Sequence, residues 1–449
     1  MRPSAGDNRS LMWLSAMCAF AIIGCTWAFA IGRYGGPDEP AHIIRAAAVA
    51  QGDLLGKPVA GFEQGYRQVT VPAPLGSGDP SCFRHDETIP ASCAAITAGD
   101  SPVAVATSAG TAPPWYYAIV GVVARIFSDG RGVSAYRMVS VLLCAIVLGY
   151  AFARCRRVAG AGWLLAALTP SAWFLFGVVG TSGIEIALIT LAVVEAIDRF
   201  HSPAPRTASL WRVMAPLSVC LLLRPAALID IAVVALVLYP TVPRPLTRRC
   251  VAILTLPLAA VFVATVAWSR WTGLVVDDTR TADSDPLWSA VRRSIDGIPT
   301  TAHQAVGALG WNEFFAPPVV QLVWIAGLVF AIYWVVTQGR DRWWHVKWIV
   351  AAIVLPTVLE VVLHRRIGEI WQGRYSIPFA MAGVLYAATT VSPPRRVMRG
   401  MIAVAALAEV VTLWHTLRRY MVGLDGSLTL QHAAWQPPLN PWLLLTINT

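Results

Sequence analysis

Long apolar runs separated by short arginine-bearing segments dominate the chain. The first, residues 11–31, is uninterrupted and long enough to cross a bilayer, which takes about 20 apolar residues in helical form. Comparable runs cover residues 135–153, 158–180, 184–197, 213–223, 226–239, 251–269, 319–336, 348–363, 375–390 and 401–417. Together they predict roughly eleven crossings. The two runs on either side of Leu223-Arg224-Pro225 are short and are expected to tilt or dip. The pattern predicts an all-α polytopic membrane protein, a single transmembrane domain over residues 1–449 with no internal repeat.

The polar intervals carry further elements. Residues 33–134 form a long interval rich in Gly, Pro, Ser and Asp. Within it, residues 38–51 place Ala41, Ile44, Ala48 and Gln51 along one helical face, predicting a short amphipathic helix in the membrane interface. Residues 115–127 are apolar and aromatic but too short for a comfortable span, predicting a second interfacial or re-entrant helix. Charge tests that choice, because short cytoplasmic loops collect Arg and Lys. If residues 115–127 do not cross, Arg154, Arg156 and Arg157 fall inside. The later clusters around Arg206, Arg248, Arg342 and Arg396 then fall inside too, and counting 115–127 as a span inverts all of them. The N-terminus is then cytoplasmic, while residues 33–134, 271–318 and 421–449 become a first outer loop, a second outer loop and an outer tail. The second loop carries a predicted amphipathic helix over 287–308, followed by Gly310-Trp311-Asn312-Glu313. A third outer segment runs from His364 to Tyr375.

Composition narrows the class. The chain is 56% hydrophobic and 13% charged, which excludes an ordinary soluble domain. A formal net charge of +10 is compatible with a nucleic-acid partner, but the basic residues scatter in small clusters and form no stripe, so none is expected. The first run exceeds a signal-peptide core and no A-x-A-like site follows it, which favours an uncleaved first helix. Cys82 and Cys93 fall in the polar first loop, where an oxidising compartment would permit a disulfide.

Candidate chemistry gathers on the outer side. Asp38 and Glu39 stand just where the chain leaves the first run. A carboxylate there can act as general base toward an acceptor hydroxyl. Its neighbour can orient the acceptor, hold a divalent cation or raise the first group's pKa by repulsion. The same pair suits a helix N-cap, since acids favour a helix start, and the two roles are compatible. His42, one turn on, can share the site. Outer arginines suit phosphate recognition through bidentate charge-assisted bonds: Arg224, flanked by apolar sequence on both sides, and Arg374, then Arg365 and Arg366. The alternatives are an ion pair of Arg224 with an acid such as Asp230, and interfacial anchoring for Arg365, Arg366 and Arg374. Glu185 is a candidate partner for one of these arginines. Membrane-interface belts account for most of the 19 tryptophans, but Trp311 and Trp371 sit beside polar loop residues and can stack on a sugar ring. There is no Walker loop, no G-x-S-x-G and no metal-ligand spacing, so ATP hydrolysis is not expected.

Several motifs carry a resemblance. Pro37-Asp38-Glu39-Pro40-Ala41-His42 with Arg45, Pro113-Pro114-Trp115-Tyr116-Tyr117, Gly310-Trp311, Trp371-Gln372-Gly373-Arg374-Tyr375 and Arg418-Arg419-Tyr420 together resemble the bacterial membrane proteins called domain of unknown function 2142. That family is similar to the GT-C superfamily of integral membrane glycosyltransferases that use polyprenyl-phosphate sugars. The resemblance implies an acidic motif and two juxtamembrane helices in the first outer loop. Asp38 then matches the acidic motif and residues 115–127 the second juxtamembrane helix. Tyr117 and Gln372 join His42, Glu185, Trp311 and Trp371 as candidates for holding substrate.

The expected function is transfer of a sugar from a polyprenyl-phosphate donor to an envelope glycan, glycolipid or protein acceptor, at the outer face of a bacterial plasma membrane. Asp38 would act as base with Glu39 beside it, and Arg224, Arg374, Arg365 and Arg366 would hold the donor phosphate. Membrane lipids are expected partners, and the sequence leaves open whether a divalent cation takes part. Readings from other classes are a transporter or flippase of a lipid-linked sugar and a non-catalytic subunit that binds polyprenyl lipid.

Overall fold

The computed structural model describes residues 7–59, 66–94, 96, 101–127, 132–155, 161–200, 210–238, 247–273, 286–338, 342–367, 371–390 and 393–448. Helix dominates. Asp7–Ala30 and Val133–Cys155 form the central pair. They approach closely because glycine stands at two contact points. A Cβ on Gly24 would lie 2.6 Å from Val141 Cγ1, and one on Gly149 would lie 2.6 Å from the backbone nitrogen of Met17. Small residues at helix contacts are the usual means of close packing in a lipid environment. Thr181–Phe200 packs against Val133–Cys155, Leu210–Leu223 and Gly373–Thr390.

Four described helices are long and apolar enough to cross a membrane: Ser10–Ala30, Val133–Cys155, Val251–Trp271 and Arg395–Met421. A fifth is reached if Pro170–Phe176 and Thr181–Arg199, bent by 115°, count as one broken span. The larger number of crossings expected from the apolar runs is therefore not established. Leu210–Leu223, Pro318–Tyr333 and Ile353–Val362 are apolar but shorter. The run over 158–180 is not one helix: its described part breaks into Ala161–Ala167 and Pro170–Phe176. Thr169 caps the second piece by accepting from the Ala172 amide, and Pro170 has no N–H with which to extend the first.

The shorter helices also have their own punctuation. Glu39–Ala50 is helical as expected, and it buries Ile43 through Val49. The aromatic stretch folds as Pro114–Val120 followed by Val122–Ile126. The expected helix over 287–308 is two, Leu287–Asp296 and Ile298–Gly307, parted at Gly297 with a proline in the first turn of the second. The all-α expectation needs correction in the first loop. Lys57–Pro58, Arg67–Pro72 and Pro102–Thr107 form a three-stranded antiparallel sheet, with Val69 opposite Val105 and Val71 opposite Val103. Val69 and Val71 face the core while Gln68 and Thr70 face out, so the sheet covers the Glu39–Ala50 helix with one apolar side. The same loop contains a disulfide between Cys82 and Cys93.

One buried ion pair ties these parts together. Arg137, inside the apolar Val133–Cys155 helix, meets Glu39 in a fork, Nε to Oε1 at 2.7 Å and Nη2 to Oε2 at 2.6 Å. Its remaining N–H groups donate to the carbonyls of Ala28, Ile31 and Gly32. All five guanidinium donors are therefore used. Arg137 thus caps the C-terminal end of the first helix, whose last carbonyls lack intrahelical partners. Glu39 accepts in addition from the amides of Val179 and Gly36. Arg137→Leu leaves Glu39 as an unpaired buried charge and is expected to cost about 3–5 kcal/mol. Denaturant unfolding in detergent measures this, and adding Glu39→Gln to the same chain should recover part of the loss.

Candidate active site

The backbone presents Asp38 in an unusual way. It occupies the N-cap position of Glu39–Ala50 with φ 58°, in the left-handed region, and its side chain makes no capping bond. The capping role weighed from sequence thus holds for position but not for the carboxylate. That carboxylate is 48% exposed, and Oδ2 accepts from Arg374 Nη2 at 3.1 Å. Glu39 points the other way. It is fully buried, and both oxygens are engaged by Arg137 and backbone amides, so its carboxylate does not face the space beside Asp38.

Arg374 enters from the first turn of Gly373–Thr390, together with Tyr375. Two cations lie over the Tyr375 ring, with Arg224 Cζ 4.8 Å and Arg374 Cζ 5.2 Å from its centroid. Arg224 stands in the break between Leu210–Leu223 and Ala227–Leu238, where Pro225 follows it. Its Nε lies 3.2 Å from Glu185 Oε1, so the acid it forms an ion pair with is Glu185. Asp230, the acid weighed from sequence, is buried within electrostatic reach of both.

His42 and Tyr117 complete the wall. Their rings stack at 5.8 Å, and Nδ1 of His42 shares a 2.8 Å hydrogen bond with the Tyr117 hydroxyl. Tyr117 is 1% exposed, so it supports His42 from behind and does not meet solvent. Burial pushes the His42 imidazole down to about 4, with Arg374 and Arg224 adding to the fall and Asp38 and Glu39 opposing it. His42 is therefore neutral at physiological pH.

The other expected residues lie further out. The Trp311 indole donates to the Tyr34 carbonyl at 2.9 Å, and the Arg84 guanidinium sits 4.7 Å over its ring. It thus braces the turn before Asp38, and one face of the ring is already covered. Gln372 accepts from Asn312 at 3.4 Å, linking the 310–313 turn to the Arg374 segment. The Trp371 indole donates to Ser376 and its ring stacks on Phe379. The side chains of Arg365 and Arg366, at the end of Arg342–Ile367, lie outside the described residues.

Trp371 and Ser376 also line an apolar cavity of about 800 Å³. Its walls come mainly from Ile298–Gly307, Pro318–Gln338, Arg342–Ile367 and Gly373–Thr390, with few polar groups. The cavity therefore adjoins the segment that carries Arg374 and Tyr375. Among the described residues no group of three or more His, Cys, Asp and Glu side chains is placed to hold a metal ion. The Asp38 carboxylate is paired with the Arg374 guanidinium, a poor fit to a cation.

These features define a polytopic membrane protein built on broken helices. The fold comparison agrees. The crystal structure of ArnT from Cupriavidus metallidurans bound to undecaprenyl phosphate matches with TM-score 0.50 and 14% identity, over 97% of this chain and 76% of that one. The apo state of the same protein matches with TM-score 0.50 and 13% identity, over 98% and 76%. No curated protein matches by sequence. Residues 20–382 match the family described as "Predicted membrane protein (DUF2142)", and the chain belongs to that family.

Sequence reasoning missed Arg137, Tyr375 as a ring shared by two cations, and Glu313, described below. Arg137 carried a readable signal, since an ionisable residue inside an apolar run calls for a partner. Tyr375 and Glu313 stood within motifs legible in the sequence, but nothing local marked the partners they meet.

The lowered His42 pKa has a consequence for stability. The unfolded chain takes up this proton near the ordinary 6.5 and the folded chain only near 4, so the contribution is complete above 6.5 and is lost as pH falls toward 4. Melting temperature in detergent is expected to fall across that window, and His42→Gln is expected to flatten the fall.

Proposed function

We propose that this chain is a GT-C-type glycosyltransferase that moves a sugar from a polyprenyl-phosphate donor to an envelope glycan, glycolipid or protein acceptor. The observation that carries the reading is the half-exposed Asp38 carboxylate paired with Arg374, whose segment also lines, through Trp371 and Ser376, an apolar cavity of about 800 Å³. The fold likeness to ArnT, crystallised with undecaprenyl phosphate, supports a lipid-linked donor.

In this reading the cavity takes part of the prenyl chain, an apolar ligand suited to its apolar walls. The donor phosphate competes with Asp38 for Arg374 and is held jointly by Arg374 and Arg224. Binding the donor thus frees the Asp38 carboxylate as it positions the phosphate. Asp38 takes the acceptor hydroxyl proton while the acceptor oxygen bonds to the anomeric carbon and the bond from that carbon to the phosphate oxygen breaks. The two guanidiniums stabilise the charge that develops on the departing phosphate, the larger catalytic term. Glu185 orients Arg224, Glu39 fixes the turn that presents Asp38, and His42 lines the site as a neutral hydrogen-bonding group. Trp371 forms cavity wall, and Trp311 and Gln372 hold the loops. The site faces the outer side of a bacterial plasma membrane, a side on which the Cys82–Cys93 disulfide persists.

Purified protein in lipid nanodiscs with labelled polyprenyl-phosphate sugars and envelope acceptors should show transfer. Asp38→Asn should lower the rate by about 10²–10⁴-fold, and Arg374→Ala should raise the donor KM as well. Undiminished transfer by Asp38→Asn would remove the base assignment, and lipid translocation without transfer would replace the enzyme by a transporter.

A further inference from the structure

The 310–313 turn contains a buried carboxylate that the reaction does not touch. Glu313 sits in the tight connection between Ala308–Leu309 and Phe314–Phe315, two short paired strands. Its side chain is 1% exposed. One oxygen accepts from the Trp311 amide, and the other lies 3.7 Å from Arg419 Nη2. The turn is shaped around it. Gly310 has φ 60°, and a Cβ there would lie 2.2 Å from Glu313 Oε1. A glycine is thus required both by the backbone and by the carboxylate.

The contacts lead from Glu313 to the reacting centre by two routes. Trp311, whose amide Glu313 holds, donates through its indole to the Tyr34 carbonyl. Arg419 donates to the Phe83 and Ile89 carbonyls of the first loop at 2.8 and 2.7 Å, and the adjacent Tyr420 hydroxyl donates to the Gly35 carbonyl at 3.0 Å. Tyr34 and Gly35 open the turn in which Gly36 and Pro37 precede Asp38. The carbonyls of two successive residues are therefore fixed by side chains that Glu313 organises.

We propose that Glu313 is a positioning residue for Asp38, holding the Tyr34–Gly35 backbone through Trp311 on one side and the Arg419-Tyr420 pair on the other. The catalytic consequence rests on Asp38 being the acceptor base; the structural coupling does not. The charged and titratable groups facing Glu313 are Arg419 and Tyr420 from Arg395–Met421 and Arg84 from the first loop. Burial pushes the Glu313 carboxyl up to about 7, against the opposing pull of Arg419, the Trp311 amide and Arg84. The closed hub therefore binds a proton that an opened one releases, so raising pH through about 7 favours local opening. A glutamine keeps the acceptor for the Trp311 amide and removes the titration.

Hydrogen exchange of the full-length protein in nanodiscs, corrected for intrinsic rate, tests the coupling. Glu313→Ala is expected to speed exchange in residues 32–39 by about tenfold, the effect of removing one buried acceptor. Glu313→Gln should stay close to wild type at pH 6 and lack the wild-type acceleration between pH 6 and 8. Unchanged exchange over 132–155 in both variants would show that the fold is intact. Acceleration confined to residues 308–316, with 32–39 unaffected, would overturn the proposal. In transfer assays Glu313→Ala should lower kcat with donor KM unchanged, and Glu313→Gln should restore it. Absence of transfer by the wild type, with the exchange coupling present, would count against the glycosyltransferase reading and leave the coupling standing.

Discussion

A carboxylate and a guanidinium removed from water survive only if every remaining lone pair and proton finds a partner, and the Glu39–Arg137 pair meets that demand. Arg137 uses all five donors, two on Glu39 and the rest on the carbonyls where the first helix ends. Glu39 uses its spare capacity on Gly36 and Val179. The first helix, the Val133–Cys155 helix, the Glu39–Ala50 helix and the 115° break before Thr181 are thereby joined at one point. A pair of this kind is weak evidence for net stability but strong evidence for a single geometry, because any shift of one element leaves a buried charge unmatched.

That geometry explains why two adjacent acids have opposite surroundings. Glu39 is the first residue of its helix and turns inward to Arg137, while Asp38, held at φ 58°, turns outward to Arg374. The left-handed backbone at Asp38 is strained for a residue with a side chain, and it is maintained from several sides: by Glu39 below, and by the bonds to Tyr34 and Gly35 from Trp311 and Tyr420. The outward acid has beside it a neutral His42 and the Arg374 guanidinium, which shares the Tyr375 ring with Arg224. Two arginines and two carboxylates thus face one another across the site, Arg374 with Asp38 and Arg224 with Glu185.

The break at residues 177–180 has a comparable role. The amides freed there do not go unpaired: Val179 donates to Glu39 and Gly180 to the Tyr116 hydroxyl, which also meets Ser140. Irregular backbone at membrane depth is tolerated where protein groups satisfy it. The interrupted helix is therefore part of how the site is anchored.

The apolar runs, the short helix at Glu39–Ala50 and the family motifs were legible in the chain because hydrophobic length, helical period and an unusual acid-rich exit from the first run are local properties. The neighbourhood of Asp38, Arg224 and Arg374 was partly legible as well, since ionisable residues among apolar ones are costly and call for partners. Where each carboxylate points was not legible. Asp38 and Glu39 have near-identical chemistry and adjacent positions, and only the placement of Arg137, 98 residues from Glu39, separates an inward brace from an outward acid. The same holds for Glu313 and Arg419, for the small sheet of the first loop, and for the tyrosine shared by two arginines. Those arrangements depend on partners distant in sequence, and it is the packed tertiary structure that decides which partner each group meets.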